Sequence, residues 1–240
     1  VVDNVSFNFL RIHECGDSAV LGTEHDDAPL ITFERDASGN YPADIFFIEL
    51  YAEGNYGEAI RSYGDAGTSG HDIQFIGGKI EATPHPSYVS EQSDKASVWL
   101  DNVKDVKFDS INIVRANSNL MWVTNNSRVR LNNVKFANQG DNSAAIVFDG
   151  CLSFHATNLE FLTDISEKPN SHHLKTTNNQ TTNVYIVNAY AWSTKPPLIQ
   201  GSGIVMLKNT EGLGYTENSG AATFSGDGTT TQFSIAHGVV

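Results

Sequence analysis

Two tryptophans, Trp99 and Trp122, occur 23 residues apart in segments of similar pattern. If these segments are adjacent strands of one parallel sheet, the two indoles stack about 4.8 Å apart and face outward. An outward aromatic pair can bind the C–H faces of sugar rings, and Trp is also favoured in subunit interfaces. The pair is therefore a candidate glycan contact, and a subunit interface or simple packing beneath loops are equally open alternatives.

Acidic residues follow in the same predicted strands. Asp101 and Thr124 lie two residues after the tryptophans, and Asp149 holds the equivalent position in the third strand. Asp101 and Asp149 should lie about 9.6 Å apart at the backbone, which is two strand spacings. Inverting glycosidases place two carboxyl groups roughly 6.5–9.5 Å apart, so the pair is a candidate catalytic dyad. Exposed Asp near turns is also common without catalysis. If the register continues, His173 and Lys175 are the next outward pair.

Polar side chains recur on another outward face. One column holds Arg130, His155 and Tyr185, and a neighbouring column holds Lys135 and Glu160. A partly cationic patch on an acidic protein fits an anionic saccharide, and a solvated sheet face is the alternative. The candidate ligand-binding residues are Trp99, Trp122, Thr124, Arg130, His155 and Tyr185.

The sequence contains no motif with the ligand spacing of a metal or cofactor site. The run 24–27 lacks the alternating ligands of a calcium loop. His172 and His173 point to opposite faces of an extended strand, which makes them a poor metal pair. Cys15 and Cys151 should lie about five coils apart, roughly 24 Å, and a disulfide needs Cα atoms within about 7 Å. We predict two free thiols, no metal and no cofactor.

A recurring apolar pattern positions all these residues. It reads apolar, any, apolar, any, any, apolar, any, apolar, so each half alternates like a strand and the extra residue marks a bend. In the regular copies the period is 23 and then 25 residues. Such repeats bury their apolar faces only against neighbouring copies, which predicts a β-solenoid. The copies are Val5–Ile12, Ile45–Ala52, Val106–Ile113, Val129–Phe136, Phe154–Phe161 and Val184–Ala191, with a looser copy at Ile73–Ile80.

A further strand precedes the pattern in each coil. Asn102 and Asn125 follow this strand, at turns where Asn tolerates left-handed backbone and can bond the next coil. Insertions occur at one corner of the repeat and should form a wall beside the outward tryptophans. Loops on a rigid scaffold often carry binding sites, although solenoid corners also vary freely where they touch nothing. The insertions are residues 81–97, 114–119, 137–144 and 162–172.

Composition narrows the classes of function. Asn, Gly, Ser and Thr are abundant and no stretch has a sustained helical period, which favours an all-β protein. No apolar run approaches the ~18 residues that span a bilayer. The formal charge of −13 opposes binding to nucleic-acid phosphates and anionic membranes. The chain starts without Met and ends in a strand-like segment, so we expect a processed or excised fragment.

Two kinds of segment carry a family resemblance. VWLDNVKDVKFDSINIV and AIVFDGCLSFHATNLEFL resemble the right-handed parallel β-helix proteins of the pectate-lyase-like superfamily, over about residues 70–210. AATFSGDGTTTQFSIAHG resembles a segment that follows the β-helix in phage and archaeal-virus tail proteins, and its Gly-Asp-Gly is also hairpin chemistry. The resemblance implies an all-β fold, a right-handed single-stranded parallel β-helix (β-solenoid) followed by a short C-terminal β-hairpin element.

The resemblance also implies a division of the chain and a function. Residues 1–70 would be irregular coils that cap the helix, 71–211 the regular β-helix, and 212–240 a linker and the start of a C-terminal β element. It implies a tail-spike or fibre module at the virion surface or outside the cell, a homotrimer that binds a cell-surface glycan without nucleic acid or membrane insertion. The alternatives are a polysaccharide lyase or glycoside hydrolase, and a purely structural shaft.

The motifs of pectin-degrading enzymes match only in part. Calcium-dependent pectate lyases carry acidic metal ligands beside an arginine on such a face, and the sequence places no acidic cluster beside Arg130. Gly70-His71-Asp72 is only a fragment of a polygalacturonase pattern. Both departures disfavour a pectin-degrading enzyme.

Overall fold

The computed structural model describes residues 3–13, 29–55, 58–64, 68–82, 96–114, 118–125, 127–177, 183–200 and 205–213. Every regular element among them is a β-strand, as the apolar pattern predicts. These residues include no helix with the length and apolar character needed to cross a bilayer. In chain order the strands are β1 Asp3–Asn8, β2 Arg11–His13, β3 Ile31–Phe33, β4 Ala43–Asn55, β5 Ile60–Ser62, β6 Gly70–Ala82, β7 Ala96–Asp101, β8 Val103–Lys104, β9 Val106–Asp109, β10 Asn112–Val114, β11 Asn119–Thr124, β12 Arg128–Ala137, β13 Ala144–Asp149, β14 Ser153–Phe161, β15 His172–Thr176, β16 Val184–Ala191 and β17 Val205–Glu211.

The strands form two parallel sheets, and the chain alternates between them up to β16. Sheet 1 has 11 strands, with the main order β1-β4-β6-β10-β12-β14-β16-β17 and with β2, β8 and β9 paired alongside. Sheet 2 has six strands in the order β15-β13-β11-β7-β5-β3. Strands from successive copies of the repeat are therefore neighbours in space. The chain is all-β with long parallel sheets, an architecture compatible with a β-helix or solenoid-like fold.

The apolar pattern lies inside this arrangement in the predicted register. Phe108 of β9 is the partner of Leu131 in β12, and Leu131 is followed by Ala156 in β14. A ladder of stacked phenylalanine rings, with centroids 4.7–5.1 Å apart, adds offset-stacking contacts to the area buried. Its members are Phe7, Phe47, Phe75 and Phe108. The pattern predicts that its apolar positions are interior, and six of them in the regular copies are all buried: Phe108, Ile111, Leu131, Val134, Phe154 and Leu159.

The bend in the middle of the pattern is a single left-handed residue in each copy. Its φ lies between 52° and 73° in every described copy, which turns the chain between the two half-strands. In the looser copy Gly77 is the bend residue and Gly78 follows it. Gly78 has φ +102°, and a Cβ there would overlap the Leu50 carbonyl oxygen of the neighbouring strand. The bend residues are Phe9, Glu49, Gly77, Ser110, Asn133, Asn158, Asn188 and Asn209.

The turns after β7 and β11 also agree with the sequence. Asn102 and Asn125 have φ of 53° and 42°, so the predicted left-handed conformation is confirmed. Asn102 donates from Nδ2 to the Gly64 carbonyl of the preceding coil at 3.5 Å. Asn125 donates at 2.7 Å to the Asp101 carboxylate, a side chain where a backbone partner was expected. Both turns therefore tie neighbouring coils together.

The described insertions pack against one another at the corner. Gln139 donates from Nε2 to the His172 carbonyl at 3.0 Å, and Lys168 pairs with Asp141 at 2.7 Å. Lys195 of the following coil donates to the carbonyls of Lys168 and Pro169. Residues 137–144 and 162–172 therefore form part of the predicted wall. Most of 81–97 and half of 114–119 lie outside the described residues.

Several expectations concern the ends of the chain. The register of sheet 1 continues from β1 through β4 to β6, so pairing is unbroken at the expected boundary near residue 71. The hairpin segment 214–240, Cys15 and the run 24–27 lie outside the described residues.

Cys151 is free and buried. Burial raises the pKa of its thiol to about 12.

Candidate functional site

The two predicted tryptophans lie side by side on sheet 2. Trp99 of β7 and Trp122 of β11 are register partners, with ring centroids 5.3 Å apart and planes 12° from parallel. The predicted stack is confirmed. Both side chains are half-buried, and neither buried Nε1 has a hydrogen-bond partner among the described residues. The pair is thus less open than a free aromatic platform.

Arg61 extends this stack by one coil, which the sequence did not reveal. It is the register partner of Trp99, and its guanidinium lies 4.3 Å from the Trp99 ring centroid and 4.6 Å from that of Tyr63. Arg61 also pairs with the buried Glu58 at 3.3 Å. Cation–π contacts of this kind are worth about 0.5–2 kcal/mol. Because Arg61 and Trp122 take both faces of Trp99, a ligand meets ring edges at this position.

The acidic row next to the tryptophans has the predicted register. Asp101, Thr124 and Asp149 are successive partners in β7, β11 and β13. Asp101 accepts hydrogen bonds from Thr124 Oγ1 at 2.9 Å, from Asn125 Nδ2 at 2.7 Å and from the Gly64 amide at 3.1 Å. Asp149 accepts one from Thr177 Oγ1 at 2.6 Å. The row therefore joins neighbouring coils, which is a structural use of both carboxylates.

The sequence predicts that His173 and Lys175 of β15 continue the lines of side chains that begin at Trp99 and Asp101. This prediction is wrong by two residues. Lys175 is the partner of Val147, where His173 was expected, and His172 is the partner of Ala144. Val147, the register partner of Trp122, lies on the same face of sheet 2 and is buried. Because the insertion at 162–172 directly precedes β15, the sequence does not show the register of this strand. The stacked corner loops cover the start of β15.

His173 is therefore a buried residue of the corner. Its Nε2 lies 3.1 Å from the Ser193 carbonyl oxygen, its ring centroid lies 5.3 Å from that of Phe161, and its Nδ1 has no partner among the described residues. Burial lowers the pKa of His173 to about 4, with Lys195 acting in the same direction. At neutral pH the ring is uncharged and donates from Nε2 to the carbonyl. It has no route to an exposed ligand.

The structure brings the predicted polar column together on sheet 1. Arg130, His155 and Tyr185 are successive register partners in β12, β14 and β16, and the His155 and Tyr185 rings meet edge to face at 6.2 Å. A groove of about 240 Å³ borders this column. Arg128, Arg130 and His155 line it together with Asp105. Its lining thus combines two guanidinium groups, an imidazole and one carboxylate.

An acidic group shares the groove with Arg130, which the sequence did not lead us to expect. Besides lining the groove, Asp105 lies 3.6 Å from His71 Nε2, and Asp72 lies 2.7 Å from His71 Nδ1. The ligand atoms of these three half-exposed residues lie within 4.8 Å of one another. Exposed ion pairs of this kind form without a metal and contribute little to stability. The missed signal was that Asp44, Asp72 and Asp105 each directly precede the first apolar residue of a copy, all at positive φ.

A second feature that sequence reasoning missed is a chain of amides at the bend of sheet 1. Each asparagine after the first donates from Nδ2 to the Oδ1 of the previous one, at 3.1, 3.4 and 2.6 Å along the chain. All four side chains are exposed. We call Asn133, Asn158, Asn188 and Asn209 the asparagine ladder. The signal was Asn at the fifth position of three successive copies, and Asn209 holds the equivalent position in β17.

Comparison with protein-family models, with curated proteins and with solved structures finds no match to this chain. The function must therefore be argued from the surfaces described above.

Proposed function

We propose that this chain is a glycan-binding adhesion module of the viral tail-spike or fibre type, built on a right-handed single-stranded parallel β-helix. The observation that carries the proposal is the column Arg130–His155–Tyr185, set in register beside a groove with a second arginine. The chain has a formal charge of −13, so a groove with two arginines departs from its generally acidic character. A local positive charge attracts an anionic partner.

The groove has the groups needed to hold an acidic sugar. A guanidinium binds a carboxylate through two parallel hydrogen bonds, which fixes the sugar in orientation as well as position. The Tyr185 ring offers an apolar surface to the C–H groups of the next sugar, and Asp105 accepts hydrogen bonds from hydroxyl groups. Because Arg130, His155 and Tyr185 stand on paired strands, this part of the site keeps its shape before binding.

Binding of a hexagalacturonate probe tests this proposal. Replacing Arg130 by Gln removes a charge-assisted hydrogen bond, and we expect at least tenfold weaker binding by calorimetry. Arg11→Gln is the matched control, since Arg11 is an exposed arginine of β2 on the same sheet and makes the same change in net charge. Equal weakening by both variants would reduce the effect to net charge, and unchanged binding by Arg130→Gln would refute the proposal.

The tryptophan stack tests the assembly. Its buried Nε1 atoms and covered ring faces disfavour direct stacking on sugar and leave only the outer ring edges for an interface. We propose a homotrimer joined through this side and through the C-terminal segment. Light scattering on the full chain, on a version ending near Leu213 and on Trp99→Ala/Trp122→Ala decides it. A monomeric mass for the full chain contradicts the trimer.

A polysaccharide-degrading enzyme is the second candidate, favoured by the register of Asp101 and Asp149 with one coil between them. Loss of depolymerase activity in Asp149→Asn, with the unfolding midpoint preserved, would transfer the proposal from adhesin to enzyme. Depolymerase activity that persists in Asp101→Asn and in Asp149→Asn would exclude this dyad.

A further inference from the structure

A second groove, of about 450 Å³, crosses β12, β14, β16 and β17 along the stacking direction of sheet 1. One wall is the asparagine ladder, and the other is formed by Lys135, Glu160, Tyr190 and Glu211. The backbone between the two walls forms the floor. It spans three strand spacings, about 14 Å, so the groove is long enough for an extended oligomer of several units.

The ladder wall keeps hydrogen-bonding capacity beyond its own bonds. A side-chain amide has two N–H donors and an oxygen with two acceptor positions. Asn188 gives one N–H to Asn158 and accepts one bond from Asn209, so a donor and an acceptor position remain. Asn158 donates from Nδ2 to both Asn133 and Asn132 and accepts one bond from Asn188, so an acceptor position remains there. Free acceptor positions therefore repeat at the strand spacing of about 4.8 Å. This repeat is close to the length of one pyranose ring in an extended glycan chain.

The opposite wall carries one lysine and two carboxylates and is partly aromatic. Lys135 and Glu160 pair at 3.0 Å, so they largely cancel each other's charge. Tyr190 is 39% exposed and Trp192, two residues further along the same face, is 65% exposed. Amides on one side and aromatic rings on the other match the hydroxyl edges and C–H faces of sugars. Neither wall offers the unpaired arginine that an anionic ligand would require.

We propose that this groove binds a neutral, extended β-1,4-linked polysaccharide, with one sugar per coil. A peptide strand is a poorer occupant because the floor is interior to the sheet, where the backbone groups of β14 and β16 already pair with strands on both sides. The groove lies on the other side of the bend from the cationic groove. The inference therefore goes beyond the proposed function and does not depend on it.

Titration of the isotope-labelled chain with cellohexaose, chitohexaose and mannohexaose, followed by nuclear magnetic resonance, tests this inference. We expect at least one of the three to shift the side-chain amide signals of Asn158 and Asn188. Tyr190→Ala should weaken that binding at least fivefold, because it removes the aromatic wall without touching the ladder. Tyr51→Ala, which removes a tyrosine of equal exposure on β4 of the same sheet, should bind as the unaltered chain does.

Three outcomes would overturn the inference. The first is that none of the three hexasaccharides shifts the ladder amides. The second is an equal loss of binding in Tyr190→Ala and Tyr51→Ala, which would indicate a general effect on the sheet. The third is equal binding of hexagalacturonate or of an extended glycine-serine peptide at the same amides. Because Arg130→Gln is read with hexagalacturonate at the other groove, failure of one proposal leaves the other measurable.

Discussion

Replacing His173 by Gln should change how the stability of this protein depends on pH. The imidazole is buried at the corner, donates from Nε2 to the Ser193 carbonyl and packs against Phe161. A protonated ring would bring a charge into this site and find no acceptor for Nδ1 among the described residues. Burial therefore lowers the His173 pKa from its usual 6.5 to about 4. Gln keeps a side-chain N–H donor and does not titrate.

The sign and size of the effect follow from linkage. As the pH falls below about 6.5, the unfolded chain binds a proton at this histidine and the folded chain does not until about pH 4. The stability contribution is therefore complete above pH 6.5 and is lost as the pH falls towards 4. Using 1.36 kcal/mol per pH unit, the loss is about 2 kcal/mol at pH 5 and about 3 kcal/mol at pH 4.

Urea unfolding of the unaltered chain and of His173→Gln at pH 7.5, 6 and 5 measures this effect. We expect the variant to be less stable at pH 7.5, because it loses ring packing, and the difference to shrink by about 2 kcal/mol at pH 5. His155→Gln, which makes the same substitution at an exposed histidine, is the matched control. Parallel pH profiles for the unaltered chain and His173→Gln would refute the reasoning.

Three further predictions concern the core and the bend. Phe75→Ala opens the middle of the ring ladder and should cost about 3–5 kcal/mol in urea unfolding, whereas Phe9→Ala, at a side chain 79% exposed, should cost about 0.5 kcal/mol or less. Gly78→Ala should lower the thermal midpoint far more than Gly39→Ala, because both have positive φ but only Gly78 would overlap backbone; equal shifts would contradict the clash. Cys151, with its thiol pKa raised to about 12, should resist iodoacetamide at pH 8 until the chain unfolds, as peptide mass spectrometry can show; rapid labelling of the folded chain would contradict its burial.

Sequence reasoning predicted the interior well because alternation reports burial directly. Phe108 and Leu131 occupy the same position of successive copies, so the repeat period alone predicts that they are register partners. The structure confirms this pairing. The wall of corner loops could also be predicted, since insertions at equivalent positions of a stacked repeat must lie above one another. Its described residues bond to one another, as between Gln139 and His172.

Register across an insertion could not be predicted in the same way. Strand alternation alone allows Leu174 to lie beside Ile146 or beside Phe148, because both choices point it inward. The structure pairs Leu174 with Ile146. That choice moves His173 from the expected exposed column to a site beneath the corner loops. In this register Ser193 bonds to both Ile165 and His173, and neither Ser193 nor Ile165 belongs to an apolar position of the repeat.

Hydrogen bonds along the stack also decide which polar columns are available for function. Asp101 already accepts three bonds, from Gly64, Thr124 and Asn125, so substituting it removes contacts between coils as well as a carboxylate. Asp101→Asn would place an amide N–H against either the Gly64 amide or the other two donors, which is a repulsive arrangement. Lost activity in this variant is therefore evidence for catalysis only if its unfolding midpoint is unchanged. Arg130 is an exposed side chain beside an open groove. Its substitution reports on ligand binding more directly, and for that reason the cationic groove is the stronger place to test function.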